Sequence, residues 1–185
     1  MKNPFKNIPG VRIFKNEPLS KYTSFHIGGN ADYFIKVYSK KALKKVLHII
    51  KKRRLRYFLI GNGTNLLVSD KRIRGVFIKL YGSFKRIYKH DNYFCCGGGV
   101  TLDNFLKYAS KFGYGGAEFL AGIPGTVGGA IKGNAGAFGR SLANITQKIT
   151  VINESARMIY YVFYVGYILI VKDKRISIKI KIFYF

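Results

Sequence analysis

The segment AGIPGTVGGAIKGNAGAFG, residues 121–139, decides how this chain is interpreted. It contains seven glycines and a single charged side chain, Lys132. Glycine adds no side-chain burial and loses more backbone entropy on folding than any other residue, so a packed element seldom uses so many. The pattern therefore predicts a fixed peptide surface, partly held by Pro124, that brings bare backbone N–H groups close to a bulky ring-bearing ligand.

A second glycine loop, GNGTN at Gly61–Asn65, lies between two apolar runs. Consecutive amides in such a turn can form an anion-binding concavity, and the Thr64 hydroxyl can donate one more hydrogen bond. The loop matches neither the dinucleotide fingerprint, since a strand at Leu66–Val68 is predicted to follow it, nor the Walker A loop, since it has no Gly-Lys-Ser/Thr. A tight hairpin explains the same residues equally well.

A third glycine run, Gly97–Gly99, precedes a predicted helix and either directs amides at a phosphate or forms a tight turn. Two glycine loops in one small domain indicate a large phosphate-bearing cofactor. Among possible acid–base groups, only Glu118 lies beside the main glycine segment, and a hydrogen-bonding role is the alternative for it. The three histidines and the acids show no spacing typical of a metal site, and no Ser–His–Asp pattern is assigned.

The composition limits the compartment and the number of domains. A length of 185 residues suits one domain, or two small ones that share a core. Cys95 and Cys96 are sequence neighbours that rarely bridge without strain, and the N-terminus has no signal-peptide pattern, so we expect a cytoplasmic protein. The uncharged stretch at residues 158–171 is shorter than the roughly 20 residues that a membrane helix needs, which favours a buried strand.

The formal net charge of +25 raises the alternative of a basic nucleic-acid-binding module. The chain is also rich in Lys, Ile, Tyr, Phe and Asn, whose codons are A- and T-rich, so compositional drift explains the same excess. The densest basic cluster, residues 51–56, lies at a predicted helix end, where cations are favourable. Nucleic acid is therefore not the expected partner, and the membrane is not one either.

Hydrophobic periodicity predicts an α+β fold. In the first half, Ser39 caps a helix that buries Ala42, Leu43, Val46, Leu47 and Ile50, and strands are predicted at Tyr33–Val37, Tyr57–Ile60 and Val76–Leu80. Residues 1–18 read as an irregular lead-in.

In the second half, Thr101 caps a helix that turns Leu102, Phe105, Leu106 and Ala109 inward and ends at Gly113. Strands are predicted at Tyr93–Cys96, Thr146–Ile152 and Met158–Val165, the last two paired around a turn at residues 153–155, and along the alternating Ile176, Ile178, Ile180 and Ile182.

Three segments, Glu17–Phe34, Tyr57–Asp70 and Gly115–Gly139, together resemble the UDP-N-acetylenolpyruvoylglucosamine reductase family, also called UDP-N-acetylmuramate dehydrogenase. The similarity runs from about residue 17 to residue 155. It implies an FAD-binding domain of the p-cresol methylhydroxylase and vanillyl-alcohol oxidase type, at residues 21–155 after a lead-in of residues 1–20. Such a domain has two α+β subdomains, divided here near residues 85–92. The family's third domain closes over the UDP-sugar, and we expect it to be absent from this chain.

The resemblance also implies the reaction and the residues that bind the cofactor. NADPH reduces FAD, which then reduces the enolpyruvyl group of the UDP-sugar to give UDP-N-acetylmuramate for peptidoglycan synthesis. The FAD pyrophosphate would be held by Gly61, Asn62, Gly63, Thr64 and Asn65. The flavin and its phosphate arm would lie along Gly122, Ile123, Pro124, Gly125, Thr126, Val127, Gly128 and Gly129. Further contacts to the cofactor or the sugar would come from Gly99, Asn134, Ala135 and Gly136.

The late part of the chain departs from the family pattern. The family has a Tyr-Arg-x-Ser motif whose arginine stabilises an enol intermediate, and here Ile168 and Ile170 fall where the arginine and the serine belong. The family's proton-donating serine and its glutamate lie in the third domain, so no catalytic residue is assigned. The composition of the divergent tail, residues 156–185, fits a hypothesis of a reading-frame change in an A/T-rich gene. A catalytically silent flavin-binding remnant is therefore the alternative to an active reductase.

Overall fold

The computed structural model describes residues 3–152 and residues 158–162 of the chain. They divide into two compact units, one of residues 3–84 with Ile152 and the other of Lys85–Val151 together with the strand at Met158–Val162. The division follows Phe84, next to the boundary at residues 85–92 that the family resemblance implies.

The first unit is built on a four-stranded sheet in the order β1-β2-β4-β3. Strand β1 pairs antiparallel with β2, whereas β2, β4 and β3 are parallel. The strands are β1 (Val11–Pro18), β2 (Asn30–Val37), β3 (Tyr57–Ile60) and β4 (Ile73–Leu80). Because β3 and β4 are parallel neighbours, the chain between them must return from the carboxyl end of β3 to the amino end of β4, and the GNGTN loop opens this crossover.

Helix α1 (Lys40–Lys52) connects β2 to β3. The Ser39 side chain caps it by accepting a hydrogen bond from the Ala42 amide at 3.2 Å, as the sequence predicts. Lysines at its last turn are favourable at the negative end of the helix dipole. All five apolar side chains predicted to face inward are buried: Ala42, Leu43, Val46, Leu47 and Ile50.

The second unit begins with a hairpin of β5 (Ile87–His90) and β6 (Tyr93–Cys96). Helix α2 (Leu102–Ser110) follows, capped by Thr101. The core centres on Phe94, whose ring makes edge-on contacts with neighbouring aromatic rings. The remaining elements are α3 (Val127–Lys132), β7 (Gly136–Ala137), β8 (Arg140–Ser141), β9 (Lys148–Ile152) and β10 (Met158–Val162), and β9 pairs with β10.

Short 3-10 turns link the longer elements. They lie at Leu19–Tyr22, Gly82–Lys85, Glu118–Leu120 and Leu142–Asn144.

Several sequence-based predictions of elements need correction. The interpretation of residues 1–18 as irregular is wrong for β1, which is the antiparallel edge strand of the first sheet. No strand forms at Leu66–Val68, because the crossover from β3 to β4 occupies these residues. Helix α2 ends at Ser110, before Gly113.

The second half of the chain is otherwise close to its prediction. The predicted strand at Thr146–Ile152 forms as the shorter β9, and the predicted strand at Met158–Val165 forms as β10 over Met158–Val162, beyond which its residues lie outside the described part of the chain. The turn predicted at residues 153–155 and the strand predicted along residues 176–182 lie outside the described residues, as does Ile168.

Candidate functional site

The glycine loop of the first unit leaves β3 directly after Ile60. Gly63 is buried and has φ of 66°, in the left-handed region that favours glycine. A Cβ at this position would overlap the carbonyl oxygen of Tyr22 and would lie 2.9 Å from the Thr23 Cα. The Gly63 carbonyl in turn accepts a hydrogen bond from the Ser24 amide at 3.1 Å. Gly63 is thus fixed by direct backbone packing against the segment that begins at Tyr22.

That segment also packs against the end of the crossover. The Gly29 amide donates to the Ser69 carbonyl at 2.8 Å, and the Gly28 amide donates to Asp70 Oδ1 at 3.0 Å. A Cβ on Gly29 would overlap the carbonyl oxygens of Asp70 and Lys71. The Gly28-Gly29 pair was not assigned to the site from the sequence, although two adjacent glycines in front of a strand were the signal. Its role is to let two backbone segments approach and so hold the crossover in place.

Four amides of the GNGTN loop take no part in the hydrogen bonds inside the described part of the chain. Within residues 3–152, the amides of Gly61, Asn62, Gly63 and Asn65 donate no hydrogen bond. A buried amide without a partner is rare in folded proteins, and Gly63 is buried. The loop therefore presents a row of unused donors of the kind that binds an anion.

In the second unit, two glycine segments that are distant in sequence lie side by side. The Val127 amide donates to the Val100 carbonyl at 2.7 Å, and the Gly128 amide donates to the Gly98 carbonyl at 3.0 Å. Thr101 and Thr126 form an antiparallel bridge beside them. The turn at residues 97–100 is thereby joined to the main glycine segment, backbone against backbone.

Gly128 is glycine because of this approach. A Cβ on Gly128 would lie 2.7 Å from the Gly98 carbonyl oxygen and 3.1 Å from the Gly98 Cα. The interpretation of residues 121–139 as a flat surface without a packed element is wrong for Val127–Lys132, which forms α3. Thr126 caps this helix by accepting the Gly129 amide at 3.2 Å.

The turn at residues 97–100 carries two more unused donors. Gly98 and Gly99 are both buried, and within residues 3–152 their amides donate no hydrogen bond. The sequence indicates the whole run Gly97–Gly99 as a phosphate site or a tight turn, and the family resemblance assigns Gly99 alone as a cofactor contact. The approach of Gly98 to Gly128, 30 positions later in the sequence, is visible only in the fold.

The segment before α3 is more open. Gly122 and Gly125 have φ of 78° and 150°, and the Ile123 amide donates to the Leu120 carbonyl at 3.1 Å. Gly122 and Pro124 are exposed and Ile123 is half-buried. The amides of Gly122 and Gly125 donate no hydrogen bond inside the described part of the chain, so this stretch keeps donors that a ligand can reach.

The predicted contacts at Asn134, Ala135 and Gly136 are engaged locally. Asn134 Oδ1 accepts the Ala143 amide at 3.1 Å, and the Ala135 carbonyl accepts the Leu142 amide at 3.0 Å. A Cβ on Gly136 would overlap the carbonyl oxygen of Arg140 in the facing strand of the β7–β8 hairpin. These three residues shape the turn after α3.

Glu118 binds backbone rather than standing free as an acid–base group. Its carboxylate accepts the Gly116 amide through both oxygens, at 2.7 and 2.6 Å. These backbone hydrogen bonds lower the pKa of Glu118, and the nearby Arg140 acts in the same direction. The hydrogen-bonding alternative is therefore the one that the structure supports.

Other chemical groups give no second site. Among the described residues, no group of three or more His, Cys, Asp and Glu side chains could hold a metal ion. Cys95 and Cys96 are buried free thiols, and burial raises the pKa of the Cys96 thiol. Within the same residues, no helix has both the length and the apolar character needed to cross a membrane.

The model of the FAD-binding domain family, described as "FAD binding domain", matches residues 31–159, which includes the glycine loops of both units. The chain belongs to the FAD-binding domain family. The predicted resemblance to UDP-N-acetylenolpyruvoylglucosamine reductases is also confirmed by curated relatives of that name.

One such relative, UDP-N-acetylenolpyruvoylglucosamine reductase 2 of Symbiobacterium thermophilum, is 41% identical over 150 residues, which is 81% of this chain and 48% of the relative. The reductase of Bacillus subtilis is 40% identical over 143 residues, which is 77% of this chain and 47% of that protein. The chain thus spans about half the length of the curated relatives it matches.

Solved structures agree on the fold. The UDP-N-acetylenolpyruvylglucosamine reductase of Thermus caldophilus matches with a TM-score of 0.70 and 30% identity, covering 82% of this chain and 53% of that protein. A solvent-stable cholesterol oxidase matches with a TM-score of 0.54 and 16% identity, covering 85% of this chain and 34% of the oxidase, which shows the fold alone. The predicted α+β FAD-binding fold, of the p-cresol methylhydroxylase type, is confirmed.

Proposed function

We propose that this chain binds FAD through the glycine segments of its two units and serves as the flavin-binding part of an NADPH-dependent reductase of UDP-N-acetylglucosamine enolpyruvate. The observation that carries the proposal is the set of buried glycine amides at Gly63, Gly98 and Gly99, which donate no hydrogen bond within residues 3–152. Donors of this kind match the oxygen-rich chain of a dinucleotide, and membership of the FAD-binding domain family points to FAD.

The residues of the first unit fit a pyrophosphate. A diphosphate needs several donors at short spacing and close approach of backbone, which side chains would block. The amides of Gly61, Asn62, Gly63 and Asn65 supply such donors, and the packing of Gly63 against Tyr22 keeps the loop in one conformation before any ligand arrives. We assign the FAD pyrophosphate to this loop.

The residues of the second unit fit the flavin end of the cofactor. The unused amides of the exposed Gly122 and the half-buried Gly125 flank the half-buried Ile123, a combination of polar edge and apolar surface that a flavin ring requires. The buried amides of Gly98 and Gly99 provide fixed dipoles nearby in the same unit. We therefore propose residues 122–129 and Gly99 as cofactor contacts. We propose that Asn134, Ala135 and Gly136 shape the turn at the flavin end of the site.

When bound, FAD supplies the hydride-transfer chemistry between NADPH and the enolpyruvyl double bond of the UDP-sugar. The protein's own residues bind and orient the cofactor through fixed backbone dipoles, which need no reorganisation during the reaction. Free buried thiols at Cys95 and Cys96 suit the reducing cytoplasm, which we propose as the compartment.

A second candidate function follows from Ile168. The family resemblance places a charge-stabilising arginine there, and an isoleucine cannot carry a positive charge. This residue favours a chain that retains FAD but does not turn over the UDP-sugar. The two candidates share the cofactor and differ in the substrate reaction.

Two measurements on the purified full chain, made one after the other, test the proposal. The visible absorbance spectrum, recorded before and after reconstitution with excess FAD and gel filtration, reports bound flavin. NADPH oxidation with and without UDP-N-acetylglucosamine enolpyruvate then reports turnover. Retained flavin with substrate-stimulated oxidation supports the reductase, and retained flavin without it supports the silent flavin binder. A chain that stays colourless after reconstitution contradicts both.

A further inference from the structure

Two lysines lie side by side on one face of the first sheet. Lys36 of β2 and Lys79 of β4 are register partners on adjacent parallel strands. Their ammonium nitrogens lie 5.6 and 5.7 Å from the centroid of the same ring, that of Tyr22. Like charges placed opposite each other across a strand pair destabilise a sheet, so this pair of cations calls for a negative group or for another compensation.

Aromatic rings provide part of that compensation. The Lys36 Nζ lies 5.0 Å from the Phe14 ring centroid and 5.5 Å from that of Tyr81, so three rings surround it. Cation–π contacts hold the ammonium group in place without neutralising it. The Glu17 carboxylate accepts hydrogen bonds from Tyr22 Oη at 3.0 Å and Lys21 Nζ at 3.4 Å. None of the ion pairs among residues 3–152 involves Lys36.

The lysine pair adjoins the GNGTN loop. Lys79 is the register partner of Ile60, the last residue of β3, and Gly61 follows Ile60 directly. The three parallel strands therefore bring Lys36, Lys79 and the start of the loop to the same carboxyl-terminal edge of the sheet. This edge is where open parallel sheets bind ligands.

The tyrosines beside the lysines remain protonated donors. Burial, together with Glu17, raises the pKa of Tyr22 to about 12, and burial with the nearby Tyr38 raises the pKa of Tyr81. The Tyr22 hydroxyl stays bonded to Glu17, and the neutral phenols add no negative charge beside the two lysines. The lysine charges therefore suit the oxygens of a phosphate better than an uncharged apolar ligand.

We propose that Lys36 and Lys79 form a phosphate subsite that takes the pyrophosphate of a dinucleotide, and that the dinucleotide is FAD. The backbone amides of the GNGTN loop supply directed donors but no formal charge, and the two lysines supply the charge. This inference rests on the proposed function, because it assigns the same loop to the FAD pyrophosphate. NADPH carries a pyrophosphate too, and the experiment separates the two sources.

The experiment measures the affinity of the full flavin-free chain for three ligands: FAD and riboflavin, each followed by quenching of flavin fluorescence, and NADPH, followed by its own fluorescence. Riboflavin has the flavin ring without phosphate. The test variant is K36Q/K79Q, and K44Q/K45Q of α1 is the matched control, because it removes the same charge from the same unit elsewhere. A third variant, K36R/K79R, keeps the charge.

We expect K36Q/K79Q to bind FAD about tenfold or more weakly than the K44Q/K45Q control at low salt, since two charge-assisted contacts are lost. Riboflavin affinity should not change, and the salt dependence of FAD binding should fall. The K36R/K79R variant should retain most of the FAD affinity, which shows that charge rather than packing is responsible.

Equal FAD affinity of K36Q/K79Q and its control would overturn the subsite. A loss confined to NADPH would overturn the assignment to FAD, and an equal loss for riboflavin would show a structural defect instead of a phosphate contact. If the unaltered chain binds no FAD, the proposed function itself fails, which is a distinct result. Should K36Q/K79Q not fold, K36R/K79R is compared with the single variant K36Q instead. Equal FAD affinity of these two variants would overturn the subsite.

Discussion

Replacing Gly63 with alanine perturbs the GNGTN loop at its tightest point. The new Cβ would overlap the Tyr22 carbonyl oxygen and come within 2.9 Å of the Thr23 Cα, so backbone must move. The φ of 66° adds a left-handed strain of about 1–2 kcal/mol for a residue with a side chain. Overpacking against a fixed backbone costs about 1–3 kcal/mol more. We therefore expect the free energy of unfolding to fall by about 2–5 kcal/mol, a large share of a typical domain's stability.

The matched control is Gly10→Ala in the same unit. Gly10 has a similar φ of 78°, but its added Cβ would meet only side-chain atoms of Ala42 and Ser39, both at 3.4 Å. This control should lose only the strain of about 1–2 kcal/mol. Urea denaturation followed by circular dichroism measures both variants, and flavin retention after reconstitution is recorded alongside. The reasoning is refuted if Gly63→Ala is no less stable than Gly10→Ala and retains as much FAD.

Three further predictions concern other parts of the structure. In Gly128→Ala the Cβ would lie 2.7 Å from the Gly98 carbonyl oxygen, so the free energy of unfolding should fall by about 1–3 kcal/mol. For Gly129→Ala it should stay the same or rise by up to about 1 kcal/mol. Thermal unfolding of both variants checks this, and equal midpoints would contradict it. Folding raises the pKa of Tyr22 from 10.0 to about 12, so the unfolded chain loses that proton at lower pH than the folded chain. The free energy of unfolding should therefore fall as the pH rises from 10 towards 12. Denaturation curves of Tyr22→Phe should show a smaller fall over the same pH range. The Cys96 thiol, whose pKa is raised by burial, should react with a thiol reagent only after unfolding; rapid labelling of the native protein would show that the site is open.

Local signals in the sequence were sufficient for most of the regular elements. Ser39 in front of an amphipathic run located α1, and Thr101 located α2, because a cap and a 3.6-residue period are both properties of neighbouring residues. Strand β1 is not predicted from the sequence, because its burial does not alternate strictly along Val11–Pro18. Helix α3 is not predicted from the sequence, because two of its six residues are glycines. Tertiary packing of Val127 and Ala130 overrides the low helix propensity of those glycines.

The chemical nature of the site was predictable, but the reasons for individual glycines were not. The sequence indicated unused backbone donors at residues 61–65 and 122–129, and the structure keeps several of them without an internal partner. The need for glycine at Gly128, however, comes from Gly98, and the need at Gly63 comes from Tyr22. Both contacts join segments far apart in sequence, so only the fold reveals that these glycines serve backbone packing as well as ligand access.

The central claim is that the unpartnered glycine amides bind the cofactor, and amide NMR of the isotope-labelled chain tests it most directly. FAD is titrated into the flavin-free protein while each glycine cross-peak is followed. The account predicts the largest shifts for Gly63, Gly98 and Gly99, with little change at Gly10 and Gly113. Binding of FAD that leaves the Gly63, Gly98 and Gly99 cross-peaks in place, or an absence of binding, would contradict it.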